Sequence, residues 1–435
     1  MNDVKQVSIV PHILFGMFIL ELFFLMVKKV NLALYGPFDL FEKLFPIIAI
    51  GLLVTVIRPK LNFQWWAATG LYLAYLLYGV LISLANQKGM KIILVQLYHE
   101  LKFFPMMMLF ATARCEQIWT ARTVTIIKAL VFFCILLIIF QAGASGAYDA
   151  VFKSGGHFEP GHIGGRLVPR FVGWFWHPGQ SALFFTIAAV LIGVEYRKGN
   201  IRFGHTLTFM CIFFVLCSIQ RLELMLLFMA LVALKVQRTF NLDYRLILAL
   251  IVFAFFVWII SYLSIDKNNV WSVLERFESP RVIFLVESVF VLFESNFWGG
   301  GWGTIGSHAA ADVANVYEYN AMKDLWWIKL GQYFYDTYWP HVIGETGLPG
   351  SFLLLLSMTF MVCALKRPEA SLLLFLLLLT SALSSNAQSL YHLTIFGWFI
   401  TLIESDPHGW RASENQQIGR ASLGKECRSR WSPYH

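Results

Sequence analysis

Long uninterrupted apolar blocks constrain this chain more than any other feature. They fall at about 11–27, 41–57, 65–84, 92–112, 122–142, 180–196, 203–219, 222–236, 246–264, 341–364, 370–385 and 387–403. Each is near the length at which a helix crosses the hydrocarbon core of a bilayer. The helices of a water-soluble domain would instead alternate apolar and polar faces. Only 14% of the residues are charged, against about a quarter in soluble domains. The expected fold is all-α: a polytopic integral membrane protein of about twelve transmembrane helices.

A net charge of +8 on such a chain is explained by topology before nucleic acid. Cytoplasmic loops of membrane proteins collect Lys and Arg. With the N-terminus inside, those loops carry Arg58 and Lys60, Arg114 and Arg122, Arg197, Lys198 and Arg202, Lys235, Arg238 and Arg245, and Lys366 and Arg367. Lys28, Lys29, Lys43, Lys88 and Lys91 fall on the external side. The first block is followed by Lys28 and Lys29 rather than a small-residue cleavage site, so it reads as a spanning helix. This gives a single transmembrane domain over 1–403, external loops at 143–180 and 265–340, and a polar cytoplasmic tail at 404–435. The long external loop is expected to carry short or amphipathic helices. Residues 282–293 are apolar but short and broken by Glu287, which fits an amphipathic helix against the membrane or bundle. None of the six cysteines lies in an external loop, so no disulfide is expected. No Cys/His spacing marks a metal.

Chemistry concentrates in the external segments. Arg166 and Arg170 lie in a Gly- and aromatic-rich stretch, Arg221 in the short connection Ser218-Ile-Gln-Arg, and Arg281 behind Pro280. The planar, permanently charged guanidinium suits bidentate phosphate binding. Headgroup snorkelling, or pairing with Glu223, Glu278 or Glu287, is the plainer use of any one of them. Where the long loop re-enters the membrane, Asp336, His341 and Glu345 fall within one stretch. In a helix, His341 and Glu345 share a face at i,i+4, and His and carboxylates are the usual general bases. Interfacial packing or capping is the plainer use of each residue alone. Glu21, His99, Glu100, Lys102 and Lys128 lie inside apolar blocks, where charge costs about 2.5–3.5 kcal/mol per residue. His99, Glu100 and Lys102 are close enough in sequence to offset one another. No nucleotide-binding fingerprint is present.

Three patches together resemble the O-antigen ligase and O-antigen polymerase superfamily, membrane glycosyltransferases of the GT-C class. Arg170-Phe-Val-Gly-Trp-Phe-Trp-His-Pro-Gly-Gln is similar to the family's Arg-x-x-Gly entry into a helix. Ser218-Ile-Gln-Arg221 is similar to its Ser-Arg turn. Arg281, Gly299-Gly-Gly-Trp-Gly303 and Glu345-Thr-Gly-Leu-Pro-Gly350 follow its Arg-helix, glycine-rich turn and Glu-x-Gly re-entry. The resemblance covers roughly 165–365. It implies a bacterial inner-membrane enzyme with its active site facing the periplasm. Undecaprenyl-diphosphate-linked oligosaccharide would be the donor and another glycan the acceptor, with no cofactor. It further implies that Arg221, Arg281 and Arg170 hold the diphosphate, and that Asp336, His341 and Glu345 supply the catalytic groups. The family's ligases carry a His-Asn pair where this chain has Asp336-Thr337. That departure favours a polymerase of O-antigen, capsule or exopolysaccharide over a ligase acting on lipid A-core. A transporter or flippase of lipid-linked sugar is the alternative of another class; it should show two related halves, and none is evident.

Overall fold

The computed structural model describes residues 9–30, 43–54, 62–113, 117–152, 161–163, 166–168, 172–175, 178–197, 204–217, 280–319, 325–329, 334, 338–367, 370–371, 374–375, 378 and 389–405. Within them the regular secondary structure is helical apart from one short hairpin. The first helices are α1 (Ile9–Val30), α2 (Lys43–Leu52), α3 (Phe63–Ala85), α4 (Met90–Glu100), α5 (Phe103–Thr112), α6 (Gln117–Gly143) and α7 (Ser145–Val151). Strands β1 (Gly161–Ile163) and β2 (Arg166–Val168) precede α8 (Pro178–Arg197) and α9 (Gly204–Cys217). Then come α10 (Pro280–Glu294), α11 (His308–Asp312), α12 (Val316–Tyr319), α13 (Trp326–Lys329), α14 (Trp339–Ala364) and α15 (Leu390–Glu404).

Among the described residues, five runs are long and apolar enough to cross a membrane: Val10–Val30, Phe63–Ala85, Met90–Thr112, Arg122–Gly143 and Trp339–Ala364. The surface chemistry agrees. On α3 the exposed positions include Trp66, Leu73, Leu77, Leu81 and Leu84, spaced as one helical face, while Trp65, Tyr72, Tyr75 and Ser83 turn inward. A water-facing helix would reverse that pattern. The protein is therefore a membrane-embedded helical protein. The expected blocks at 222–236 and 246–264 lie outside the described residues, as does most of 370–385. The expected amphipathic segment at 282–293 is α10.

The chain forms two compact units. One comprises Met1–Phe24, Tyr35–Ala113 and Met225–Ile400; the other comprises Leu25–Leu34, Arg114–Leu224 and Thr401–His435. In the first, α3 and α14 run antiparallel: Ser357 Oγ donates to the Ala68 carbonyl at 2.8 Å, and Phe63 meets Phe360 edge-on at 6.4 Å. Asn62 caps α3 by accepting the Trp65 amide at 3.0 Å, as short polar side chains do at helix starts. Helix α10 packs on α14. Its Phe284 lies against Trp327 and Tyr317, and all three are buried.

In the second unit α8 packs on α9, with Phe185 and Phe214 stacked at 5.3 Å. The 143–180 segment, expected as an external loop, holds α7 and an antiparallel hairpin pairing Gly161 with Val168 and Ile163 with Arg166. Lys29, expected among external surface charges, is buried. Its ammonium donates to Tyr148 Oη and the Gly173 carbonyl, and to the Phe175 carbonyl at 2.8 Å. Gln141 Oε1 accepts the Val172 and Gly173 amides at 3.1 and 3.3 Å. The turn Val172–Phe175, just after Arg170, is thus tied down from both sides of its backbone.

Candidate functional site

Two interruptions in apolar helices shape the polar centre of the first unit. The block expected as one span at 92–112 is two helices, α4 and α5, broken at Leu101 and Lys102. Pro105 explains the break: without an N–H it cannot bond the Leu101 carbonyl one turn back, and its ring crowds that carbonyl. The second interruption lies in α14, where Gly347 adopts φ +63° and ψ −166°. Here Pro349 cannot donate to the Glu345 carbonyl, and that carbonyl instead accepts the Gly301 amide at 2.8 Å. Gly300 N–H likewise donates to the Gly344 carbonyl at 2.9 Å, and Leu348 N–H to the Phe297 carbonyl at 3.0 Å. The glycine-rich loop therefore satisfies the backbone groups that the kink frees, which apolar surroundings demand. Close approach requires glycine on both sides: a Cβ on Gly347 would lie 2.4 Å from the Phe297 carbonyl oxygen, and one on Gly299 would lie 2.5 Å from the Gly347 nitrogen.

The loop is also pinned to α3 and to Glu345. Trp302 is fully buried over Gly79, where a Cβ would fall 2.3 Å from the indole. The Trp302 amide donates to Ser83 Oγ at 2.8 Å, and Tyr78 Oη donates to the Trp298 carbonyl at 2.7 Å. Glu345 is buried and gathers four donors on Oε1: the amides of Gly303, Thr304 and Ile305 at 2.9, 3.0 and 3.2 Å, and Ser307 Oγ at 2.6 Å. Successive amides converging on one oxygen form an anion nest, here filled by the protein's own carboxylate. Ser307 Oγ also accepts the Ala310 amide at 3.1 Å and so caps α11. Lys88, half-buried beside this loop, has its ammonium pKa lowered by burial, with the Glu345 charge opposing the shift.

His341 shares the first, pre-kink piece of α14 with Glu345 but serves another partner. Its Nε2 lies 3.2 Å from Glu100 Oε1. Both residues are buried. Gln96 Nε2 donates to Glu100 Oε1 at 2.8 Å, and Tyr338 Oη donates to Glu100 Oε2 at 2.8 Å. Tyr72 Oη donates to the Glu100 backbone carbonyl, which sits at the end of α4. Tyr338 packs edge-on against the His341 ring at 4.8 Å. A carboxylate held by two neutral donors and one imidazole orients that ring, and it favours the imidazolium once a proton arrives.

Beside this pair lies a basic cluster. The His99 and His308 rings stack with centroids 3.8 Å apart and planes 7° apart. Lys102 Nζ lies 3.1 Å from His99 Nδ1 and 4.7 Å from the Tyr98 ring centroid. His308 Nδ1 lies 3.7 Å from Asp312 Oδ2. Burial holds the His308 pKa below its usual value; the hydrogen bond to Asp312 opposes this, and the Lys102 charge adds to it.

Of the residues singled out in the sequence, His341 and Glu345 are buried in the polar centre of the first unit. Arg281 begins α10. Asp336, Arg170 and Arg221 lie outside the described residues, as does the side chain of Arg281. The expectation that His99, Glu100 and Lys102 offset one another is replaced by two separate pairings, Glu100 with His341 and Lys102 with His99. Gln96, Tyr338 and Ser307 were not anticipated as site residues. Against models of known protein families and against curated proteins, the sequence matches none.

Proposed function

We propose that this chain is a metal-independent, inverting membrane glycosyltransferase that extends a glycan carried on undecaprenyl diphosphate, making O-antigen, capsule or exopolysaccharide. The observation that carries the reading is His341, held by the buried Glu100 carboxylate beside a glycine-rich loop that Glu345 pins. In this reading the acceptor hydroxyl gives its proton to His341 as its oxygen attacks the anomeric carbon. The bond from that carbon to the diphosphate oxygen breaks with inversion, and the lipid diphosphate leaves with the electron pair. Arg170, Arg221 and Arg281 are assigned to the leaving charge, where fixed cations contribute most. Glu100 is a positioning residue acting through His341, and Glu345 acts through the loop. Asp336 is the competing base.

The test uses purified full-length protein in detergent with lipid-linked repeat units, scoring polymer length. Arg221→Ala and Arg281→Ala should abolish polymer while the protein still inserts; unchanged polymer from both ends the assignment. His341→Ala against Asp336→Ala identifies the base. Glu100→Gln should shift the pH–rate profile as well as lower the rate. In a deletion strain, single repeat units accumulating on the carrier mean polymerase, whereas full-length polymer left on the carrier means ligase. A lipid-linked sugar transporter is the second reading, favoured by the interruptions at Leu101–Lys102 and Gly347, since transporters place substrate at broken helices. Polymer formation in detergent, where nothing can be transported, excludes it.

A further inference from the structure

We infer that Lys29, with Tyr148 and Gln141, is a positioning residue for the lipid diphosphate, acting through the Val172–Phe175 turn on Arg170. The inference rests on the reading that Arg170 serves the leaving diphosphate. All of the fastening lies in the second unit. The Lys29 ammonium, at the end of α1, donates to Tyr148 Oη, to the Gly173 carbonyl and to the Phe175 carbonyl. An ammonium has three protons, and these acceptors take all of them. Lys29 therefore has none left for a ligand, and its part is to hold the turn. The rings of Tyr148 and Phe152 lie 5.0 and 5.6 Å from the same nitrogen, so the charge meets two π faces as well. A buried charge is expensive even when fully hydrogen-bonded, and a plain connection between helices does not require one.

The rest of the turn is held as firmly. Gln141 Oε1, on α6, accepts the Val172 and Gly173 amides at 3.1 and 3.3 Å. Phe175 N–H closes the turn on the Val172 carbonyl at 3.0 Å. Gly173 has φ +54°, and a Cβ there would sit 3.1 Å from Ile138 Cγ1 and 3.3 Å from the Cys134 carbonyl oxygen. Trp174 meets Phe133 edge-on at 4.9 Å, and Phe175 lies 5.2 Å from Phe184 of α8. The turn is thus fixed through its amides, its carbonyls and its side chains. Connecting segments ordinarily tolerate movement; this one is fastened. Arg170 stands two residues before Val172 in the sequence, so covalent geometry alone keeps its Cα within about 8 Å of a fixed point. A guanidinium stabilises developing charge best when it is already in place, and misplacing a group by about 1 Å can cost on the order of a hundredfold in rate. The clamp supplies that fixity through the backbone.

Binding tests the inference without a transfer reaction. Full-length protein in detergent is titrated with undecaprenyl diphosphate, and a thermal midpoint is recorded for each variant. Arg170→Ala should weaken binding about tenfold, and Lys29→Met about fivefold. Independent effects would multiply to about 50-fold in the double variant, whereas action through Arg170 keeps the double variant within about twofold of Arg170→Ala. Gln141→Leu should behave as Lys29→Met does, and Gln141→Glu, which keeps the accepting oxygen, should recover the affinity. That pair, with Arg170→Ala/Gln141→Leu as the double variant, carries the test if Lys29→Met does not fold. A lowered midpoint with unchanged affinity in Lys29→Met and Gln141→Leu makes the clamp merely structural and overturns the inference. So does full multiplication of the two effects. Wild-type affinity in Arg170→Ala, or no saturable binding by the wild type, overturns the arginine assignment and the inference with it. Coupled loss of binding in a protein that makes no polymer upholds the inference and ends the transferase reading instead.

Discussion

Each compact unit contains a turn fastened by one buried charged side chain, and the two fastenings are chemical opposites. In the first unit the Glu345 carboxylate accepts three amides and the Ser307 hydroxyl from the 303–307 loop. In the second, the Lys29 ammonium gives its protons to the Gly173 and Phe175 carbonyls and to Tyr148 Oη. The second arrangement has back-up. Tyr148 Oη also donates to the Gly173 carbonyl, and Gln141 holds the turn's amides. At Glu345 one oxygen takes four donors, and the other, buried Oε2 has no partner among the described residues. The Gly173 carbonyl thus has a second donor, whereas the amides of 303–305 share one acceptor atom, although Ser83, Tyr78 and Tyr317 hold the same loop at other points.

The sharpest way to break this comparison is Glu345→Leu. It strands three amides and a hydroxyl in a buried site, and unmade buried hydrogen bonds are expensive. A loss of about 4 kcal/mol in unfolding free energy is expected by detergent titration, with Glu345→Gln losing less than half of that because it keeps an acceptor. Lys29→Met should cost about 2 kcal/mol, since Tyr148 continues to serve Gly173 while the Phe175 carbonyl and the Tyr148 oxygen each lose a donor. Equal losses from the two variants would refute the contrast. Gly79→Ala comes next. It leaves Glu345 untouched but drives a methyl into Trp302, and overpacking of this kind costs about 1–3 kcal/mol. The lost stability should be recovered in part by Trp302→Phe, which shortens the intruding ring.

The two fastenings differ in how far the sequence disclosed them. The apolar blocks at 11–27, 65–84 and 122–142 lie within the helices at 9–30, 63–85 and 117–143, because a span facing lipid shows its length directly as an apolar run. The block at 92–112 hides its break; Pro105 is the one local signal of it, set among Phe and Met residues that keep the block apolar. Glu345 stands out in the sequence as a titratable group at i,i+4 from His341, and the Gly299–Gly303 run as a turn. That the loop amides would close on that carboxylate was not legible, because 38–42 residues separate the partners. The Glu100–His341 contact spans 241 residues, and local periodicity carries no information at that range. The burial of Lys29 is hidden for a related reason: a lysine at the end of an apolar block has the same sequence signature whether it faces water or lies under a turn. The Gly164-Gly165 pair in the sequence between β1 and β2 is a usable hairpin signal inside a segment expected as an external loop.

The smallest expected effect is on pH response, and it should separate the two turns cleanly. His308 follows directly on the loop that Glu345 holds, and its folded-state pKa lies below the usual value because burial penalises the imidazolium. Lys102 and His341 reinforce that shift, and Asp312 opposes it. The sign follows from linkage: an unfolded histidine takes its proton near pH 6.5, while the folded one does not. Stability is therefore full above about pH 6.5 and falls as the pH drops below it. The Val172–Phe175 turn has no histidine among its described contacts. Hydrogen exchange, corrected for intrinsic rates, should show residues 303–312 losing protection between pH 7.5 and 5.5 while 172–175 stay unchanged. His308→Gln should abolish most of the difference. Loss of protection at both turns alike would mean that acid acts on the whole protein rather than on this loop.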